Sequence, residues 1–388
     1  MKTLVISKPI YDIIIPLNEF PKDGDNFYIN ESIKTMNSVG NLTALVLGKY
    51  GIDTYYTGMI GEDSIGNKVK EILNKYNIDT KYVEVSYKEH SEVNYKIYNM
   101  KTNTFTNILE NSIKTNLMKY KYEFIPDVIV MDDNDYGANM AAINNYPNAN
   151  LIYISNKFSN ESSVYLKKCK YVIVNLSFAA NATGIYNNLN KPKVMVSLFQ
   201  KYIDMYKSNL IIRLDNFDYL YCVDDEVRII KNVNSHLKNK ENLFNSILIY
   251  FLINTNNIEE SIKCTNKVML ESKNELDMIL NIPQFEVVSN VLNEYKSRIN
   301  NNNINNSASN VVTNNNVNNV ITNTNTNNVN IAVSKNNVND VSKETDKVEN
   351  IVSQNNNSSI NNQTNNIETF DMPKNKIEDN NSWVIILF

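Results

Sequence analysis

The stretch Asn37–Val83, NSVGNLTALVLGKYGIDTYYTGMIGEDSIGNKVKEILNKYNIDTKYV, decides the fold. Turn signals alternate with apolar runs along it, at spacings that predict a helix, a strand and a second helix. Thr43–Lys49 is small and apolar, with Ala44, Leu45, Leu47 and Gly48 allowing close packing, and Gly51 stands where a left-handed residue ends a helix. Thr54–Met59 is β-branched and aromatic, as a strand requires, and Gly61, Glu62, Asp63 and Ser64 close it as a turn. Ile65, Val69, Ile72, Leu73 and Tyr76 then recur at helical spacing, so one face of the second helix must be buried. Lys81–Val85 is extended again.

Around this unit, composition sets the bounds. The chain has 388 residues, 42% of them hydrophobic, enough for a large core. A net charge of -4 and a pI near 5.5 exclude a general nucleic-acid surface. Cys169, Cys222 and Cys264 lie far apart with no C-x-x-C, which points to a reducing cytoplasm. The apolar start Leu4–Ile6 is broken by Ser7, Lys8 and Pro9, so it lacks the long apolar centre of a signal peptide. No run reaches the roughly 18 apolar residues of a membrane span. His90 and His236 are remote from cysteine and from each other, which argues against zinc, and neither a Walker A nor a G-x-G-x-x-G sequence occurs.

Composition shifts near residue 298. Asn300–Asn366 is dominated by Asn and has no aromatic residue, so residues 299–382 are expected to form a disordered tail that cannot bury enough apolar surface to order itself. The last six residues, Trp383–Phe388, are apolar and suited to a groove or a sheet edge.

Residues 1–298 read as one globular α/β domain. Leu4–Ile6 and Ile10–Ile15 suit a buried first strand, with Asp12 the acidic residue within it, and two polar extended arms lie near 18–36 and 84–108. Asp127–Met131, Asn150–Ser155, Tyr171–Val174, Val194–Leu198, Leu210–Leu214 and Tyr219–Val223 are predicted strands. Tyr136–Asn144, Ser162–Lys168 and Ala179–Asn188 are predicted helices, followed by three longer ones at Lys240–Ile253, Ile258–Leu270 and Gln284–Ser297. Repeated β-α units imply a mainly parallel sheet covered on both faces. Asp132, Asp133, Asn134 and Asp135 form an acidic loop, read as solvated in preference to a cation or sugar site.

The ordered run G-K-Y-G-I-D-T, G-M-I-G-E-D-S-I-G-N and N-I-D-T, with Gly58, Gly61, Asp63 and Gly66 at matching spacing, resembles the N-terminal hallmark of the ribokinase-like, or PfkB, carbohydrate kinases. Ile282–Val287 is similar to the family's terminal I-P-x-x-E-V, so the resemblance spans nearly all of residues 1–298. It implies a three-layer sandwich with a mainly parallel sheet, a small β lid over the sugar that often carries a dimer contact, and ATP with magnesium as co-substrate if the chain is an active kinase. It also implies Asp12, Gly40 and Asn41 as sugar-binding residues, with a strand-end carboxylate as the other reading of Asp12 and a helix N-cap as that of Asn41.

The catalytic half departs from the family. Its G-A-G-D supplies backbone N–H groups for the phosphate and an aspartate base for the attacking hydroxyl. Here Asn239, Lys240, Glu241 and Asn242 align with it, a degenerate anion hole without a base that reads equally as an ordinary capped helix start. The metal-positioning N-x-x-E aligns with Asn175, Leu176, Ser177 and Phe178, and the nucleotide-side T-L-G-x-x-G with Ser197–Tyr202. The expectation is therefore a catalytically impaired carbohydrate kinase homologue that binds a sugar or related metabolite, with no metal and no cofactor assigned. Two alternatives stand beside it: a working kinase with Asp215, Asp218 or Asp224 as an unorthodox base, and a non-catalytic scaffold.

Overall fold

The computed structural model describes residues 1–110, 113–117, 121–215, 217–231, 240–317 and 367–371. It divides into two compact units, Met1–Tyr295 with Asn365–Phe388, and Lys296–Thr364.

The first unit is built on a ten-stranded sheet. Strands β1 (Lys2–Ile6), β4 (Asp53–Gly61), β5 (Ile78–Ser86), β8 (Val128–Met131), β9 (Asn150–Ser155), β10 (Tyr171–Asn175) and β11 (Asn209–Arg213) run parallel. β12 (Tyr219–Val223), β13 (Glu226–Ile230) and β14 (Ile367–Asp371) add antiparallel, giving the order β14-β13-β12-β11-β10-β9-β8-β1-β4-β5. The parallel strands are apolar on both faces because both are covered. In β1, Val5 enters one core while Leu4 and Ile6 enter the other. Residues of α1 (Val39–Lys49), α2 (Ser64–Lys75), α7 (Glu241–Thr255), α8 (Ile258–Met269) and α10 (Phe285–Val317) fill the first core; those of α3 (Tyr136–Asn145), α4 (Asn160–Leu166), α5 (Leu176–Thr183) and α6 (Pro192–Tyr206) fill the second. This is the expected three-layer sandwich.

A separate four-stranded sheet, ordered β3-β2-β6-β7, forms the lid from β2 (Tyr11–Leu17), β3 (Ile33–Thr35), β6 (Val93–Asn99) and β7 (Thr104–Glu110). Ile10–Ile15, expected in the buried first strand, thus lies in the lid, and of the expected arm near 18–36 only β3 is a strand. Pro9 separates β1 from β2, and the second apolar run pairs with β6 in parallel register, Asp12 opposite Asn94 and Ile14 opposite Lys96.

The deciding stretch folds as expected. Gly51 has φ +76° just beyond α1, and Asp63 caps α2 by accepting a hydrogen bond from the Gly66 N–H at 2.8 Å. Val194–Leu198, expected as a strand, lies inside α6. Pro192 starts that helix, and Met195, Leu198, Phe199, Tyr202 and Tyr206 line its buried face, a period that a five-residue apolar window does not reveal. The helix expected at Ala179–Asn188 ends earlier, at Thr183, where Gly184 takes up φ +70°.

The Asn-rich stretch is described only in part. α10 continues to Val317, past the expected end at Ser297, and Ile367–Asp371 pairs antiparallel with β13, whose open edge offers unpaired backbone groups. The remainder of the expected tail and the Trp383–Phe388 peptide lie outside the described residues.

Candidate functional site

From β1 the chain moves to β4 and β5 on one side, then to β8 and onward on the other. The order reverses between β1 and β8, and a crevice beyond the carboxyl ends of such strands is where open α/β sheets bind ligands. Ser7 follows β1 and Asp132 follows β8. The Ser7 hydroxyl donates to Asp132 Oδ2 at 2.5 Å, and the Asn134 N–H donates to Oδ1 at 3.0 Å. Asp132 is 4% exposed, and burial pushes its carboxyl up to about 7 against the Ser7 hydrogen bond that favours the charged form. The acidic loop read as solvated is therefore buried at its first residue, because Gly40 of α1 closes over it: a Cβ there would sit 2.1 Å from Ser7 Oγ.

The predicted binding residues lie around this closed crevice. Asn41 is not the helix cap. The cap is Ser38, while buried Asn41 donates to the Ile10 carbonyl at 2.9 Å and accepts from the Tyr56 hydroxyl at 2.7 Å. Asp12 stands inside lid strand β2 and is 1% exposed. Its Oδ1 meets Lys96 Nζ at 2.8 Å and the Asn94 amide at 2.9 Å, and its Oδ2 accepts the Asn37 N–H at 2.6 Å. The acid that would bind sugar hydroxyls is thus engaged by three protein donors.

Beside it opens a cavity of about 420 Å³ between the lid and the start of α7. Lys96, Thr104 and Asn107 face it from the lid, Glu241 and Asn242 from α7, and Asn37 from the connection between β3 and α1. Asn37 ties these parts together, since its carbonyl accepts the Asn242 amide at 2.8 Å and its Oδ1 accepts from Thr35 at 3.2 Å and from the Met278 N–H at 3.3 Å. Lys96, Asn94 and Asn37 escaped the sequence reading because their meeting depends on the β2–β6 register, which nothing local signals.

At the start of α7, Asn239 lies outside the described residues. Lys240 occupies the N-cap position without a side-chain cap bond, so this is not an ordinary capped helix. Its buried side chain turns away, Nζ donating to the Lys273 carbonyl at 2.5 Å and to Ser272 at 3.2 Å, and burial holds its pKa down. Asn175 caps α5 and Phe178 is fully buried, leaving no carboxylate there for a metal. Ser197–Tyr202, aligned with T-L-G-x-x-G, is helical and lies within α6. The β11–β12 turn carries Asp215 and Asp218. None of Asp215, Asp218 and Asp224 lines the cavity, and Asp224 lines a separate cleft with Lys170, Asn209 and Arg228. Among the described residues no group of three His, Cys, Asp or Glu side chains could hold a metal ion.

A profile of the pfkB family carbohydrate kinases matches residues 40–236, just over half of the chain. The chain belongs to the pfkB family of carbohydrate kinases. This pfkB-family chain shares its fold with a ribokinase from Thermotoga maritima at 17% identity and TM-score 0.60, covering 75% of this chain and 99% of that one. A nucleoside kinase of the ribokinase family from Methanocaldococcus jannaschii matches at 13% identity and TM-score 0.61, covering 76% and 98%. An Arabidopsis thaliana ribokinase, solved with ribose and ATP, matches at 13% and 0.59, covering 75% and 98%. No curated protein matches the sequence. No helix among the described residues is long and apolar enough to cross a membrane.

Proposed function

We propose that this pfkB-family chain binds a sugar or related polyol in the cavity between its lid and α7, and has lost phosphoryl transfer. One observation carries the reading: the residue aligned with the catalytic base is Asn242, an amide whose nitrogen is tied to the Asn37 carbonyl at 2.8 Å. An amide takes no proton from an attacking hydroxyl. Asn239 and Glu241 stand in place of the glycines that would bare N–H groups to a phosphate, and Lys240, the cation between them, is turned away. Phosphoryl transfer rests on positioning and charge stabilisation, so these losses together should lower turnover by at least about 10⁴-fold. Thr104, Asn107 and Asn37 remain as hydroxyl-binding groups. The globular domain spans residues 1–298, works in a reducing cytoplasm with its three thiols free, and self-associates through lid strand β7, whose Ile108 and Leu109 are exposed.

Calorimetry of the full chain with a panel of sugars, paired with an ADP-release assay in magnesium and ATP, tests this. Heat with at least one sugar and no ADP above background is expected; steady ADP release would sink the reading of lost catalysis, and heat with no sugar would sink the binding reading. Asn242→Asp is expected to leave turnover at background, because it restores the carboxylate without the phosphate cradle. It should also lower thermal stability by about 1–2 kcal/mol, since a carboxylate would face the Asn37 carbonyl in place of a donor.

A further inference from the structure

Resting on that reading, we infer that the lid cavity selects a cationic polyol, an amino sugar or amino alditol, over its neutral and anionic counterparts, and that Glu241 is the residue that selects it. The argument is one of charge balance. Lys96 reaches the cavity wall, but its ammonium is matched at 2.8 Å by Asp12, a buried carboxylate. Lys240, next to Glu241 in sequence, sends its ammonium to the Lys273 carbonyl and the Ser272 hydroxyl. Lys96 and Lys240 are thereby both committed. Glu241 lines the cavity as the first residue of α7 and forms no ion pair among the described residues.

The positive end of α7 offsets only about half a charge, and only within the first turn. The cavity therefore keeps a net negative field, facing lid groups that suit hydroxyls: Thr104, Asn107 and Asn103. A ligand with an ammonium beside several hydroxyls satisfies both. A phosphate or carboxylate would meet Glu241 as a like charge.

The test uses the full-length protein and matched ligand sets in calorimetry at low ionic strength: hexoses, the corresponding 2-amino-2-deoxyhexoses and the corresponding uronates, together with an alditol and its amino derivative. At a pH where the amine is protonated, the amino member of at least one set should bind about tenfold tighter than the neutral one, and the uronate should bind weakest. The preference should shrink as salt rises and as pH passes the ligand's own amine pKa. Glu241→Gln keeps the side-chain shape and should reduce the preference to within about twofold while neutral-sugar affinity holds. A thermal melt of the variant checks its fold, and Glu71→Gln, at an exposed position of α2, serves as the charge control. Neutral sugars binding as well as amino sugars would overturn this inference and leave sugar binding intact, as would a preference that survives Glu241→Gln. Binding of no member of any set would overturn both, and ADP release with ATP would sink only the lost-catalysis reading.

Discussion

Replacing Gly61 by alanine is expected to destabilise the protein by at least about 3 kcal/mol, and to leave little folded material at 37 °C. A Cβ at this position would lie 2.5 Å from Asp63 Oδ2, 2.6 Å from the Glu89 carbonyl and 2.6 Å from the Ser91 nitrogen, distances that real Cβ atoms essentially never show. Two of these three neighbours are backbone, so the obstruction cannot swing away as a long side chain would. The third is the Asp63 carboxylate, already committed. It accepts from the Gly66 N–H at 2.8 Å and from the Ser91 N–H at 2.7 Å, and those bonds outweigh its partial burial and hold its pKa down. Relieving the clash would break the cap of α2 and the anchor of the Glu89–Ser91 turn together, and losses of that size come from such combined failures. Chemical denaturation of the variant measures the effect. A loss below about 1 kcal/mol would show that the turn has room to move, and that the close approach of these segments is not what holds the unit together. Gly58→Ala provides a second position with a similar obstruction, 2.4 Å from the Ser7 carbonyl.

The same glycines explain what was legible in the sequence. Gly58, Gly61, Asp63 and Gly66 signalled the fold from their spacing alone. In the structure they act locally, letting β4, the α2 cap and the Glu89–Ser91 segment approach one another. Local devices of this kind, with the helical period of α2 and the left-handed Gly51, are written in adjacent residues and can be read there. What failed was of two kinds. Val194–Leu198 is an apolar run too short to show its period, and only the whole of α6, from Pro192 to Tyr206, makes it helical. Ser197–Tyr202, aligned with the nucleotide-side motif, accordingly falls on helix. The second kind concerns the site. Asp12, Gly40 and Asn41 could be named as candidates, but that Lys96 covers Asp12, or that Gly40 presses on Ser7 and Asp132, depends on residues far apart in the chain that meet only after folding. Position in sequence marked which residues matter to the crevice without marking that the protein itself occupies it.

The buried Asp132 gives the other large effect, and its sign follows from linkage. The carboxyl ionises near 3.8 when unhindered and is raised to about 7 in the folded protein. Between those values the folded state holds a proton that the unfolded chain has released, so stability contributed by this group is complete below about pH 4 and is lost as pH rises toward 7. The slope is about 1.4 kcal/mol per pH unit, and the total on the order of 4 kcal/mol. The three carboxylates with lowered values among the described residues, Asp63, Glu89 and Glu259, act in the opposite sense and below the ordinary carboxylate range, so they do not offset the Asp132 slope between pH 5 and 7. Asp132→Asn keeps the side-chain shape, an acceptor for the Asn134 N–H and a donor toward Ser7, so it reproduces the protonated acid at every pH. Its melting temperature should match that of the parent near pH 4 and exceed it by roughly 5–10 °C at pH 8, with a flat profile between. Ser7→Ala should keep the parent's downward slope and extend it to higher pH, because the hydrogen bond that favours the charged carboxylate is gone. Parallel profiles for the parent and Asp132→Asn between pH 5 and 7 would mean that the carboxyl ionises freely where it lies. The crevice between β1 and β8 would then have to admit enough water to solvate a charge, and the space closed by Gly40 and Ser7 would have to be regarded as open to ligand.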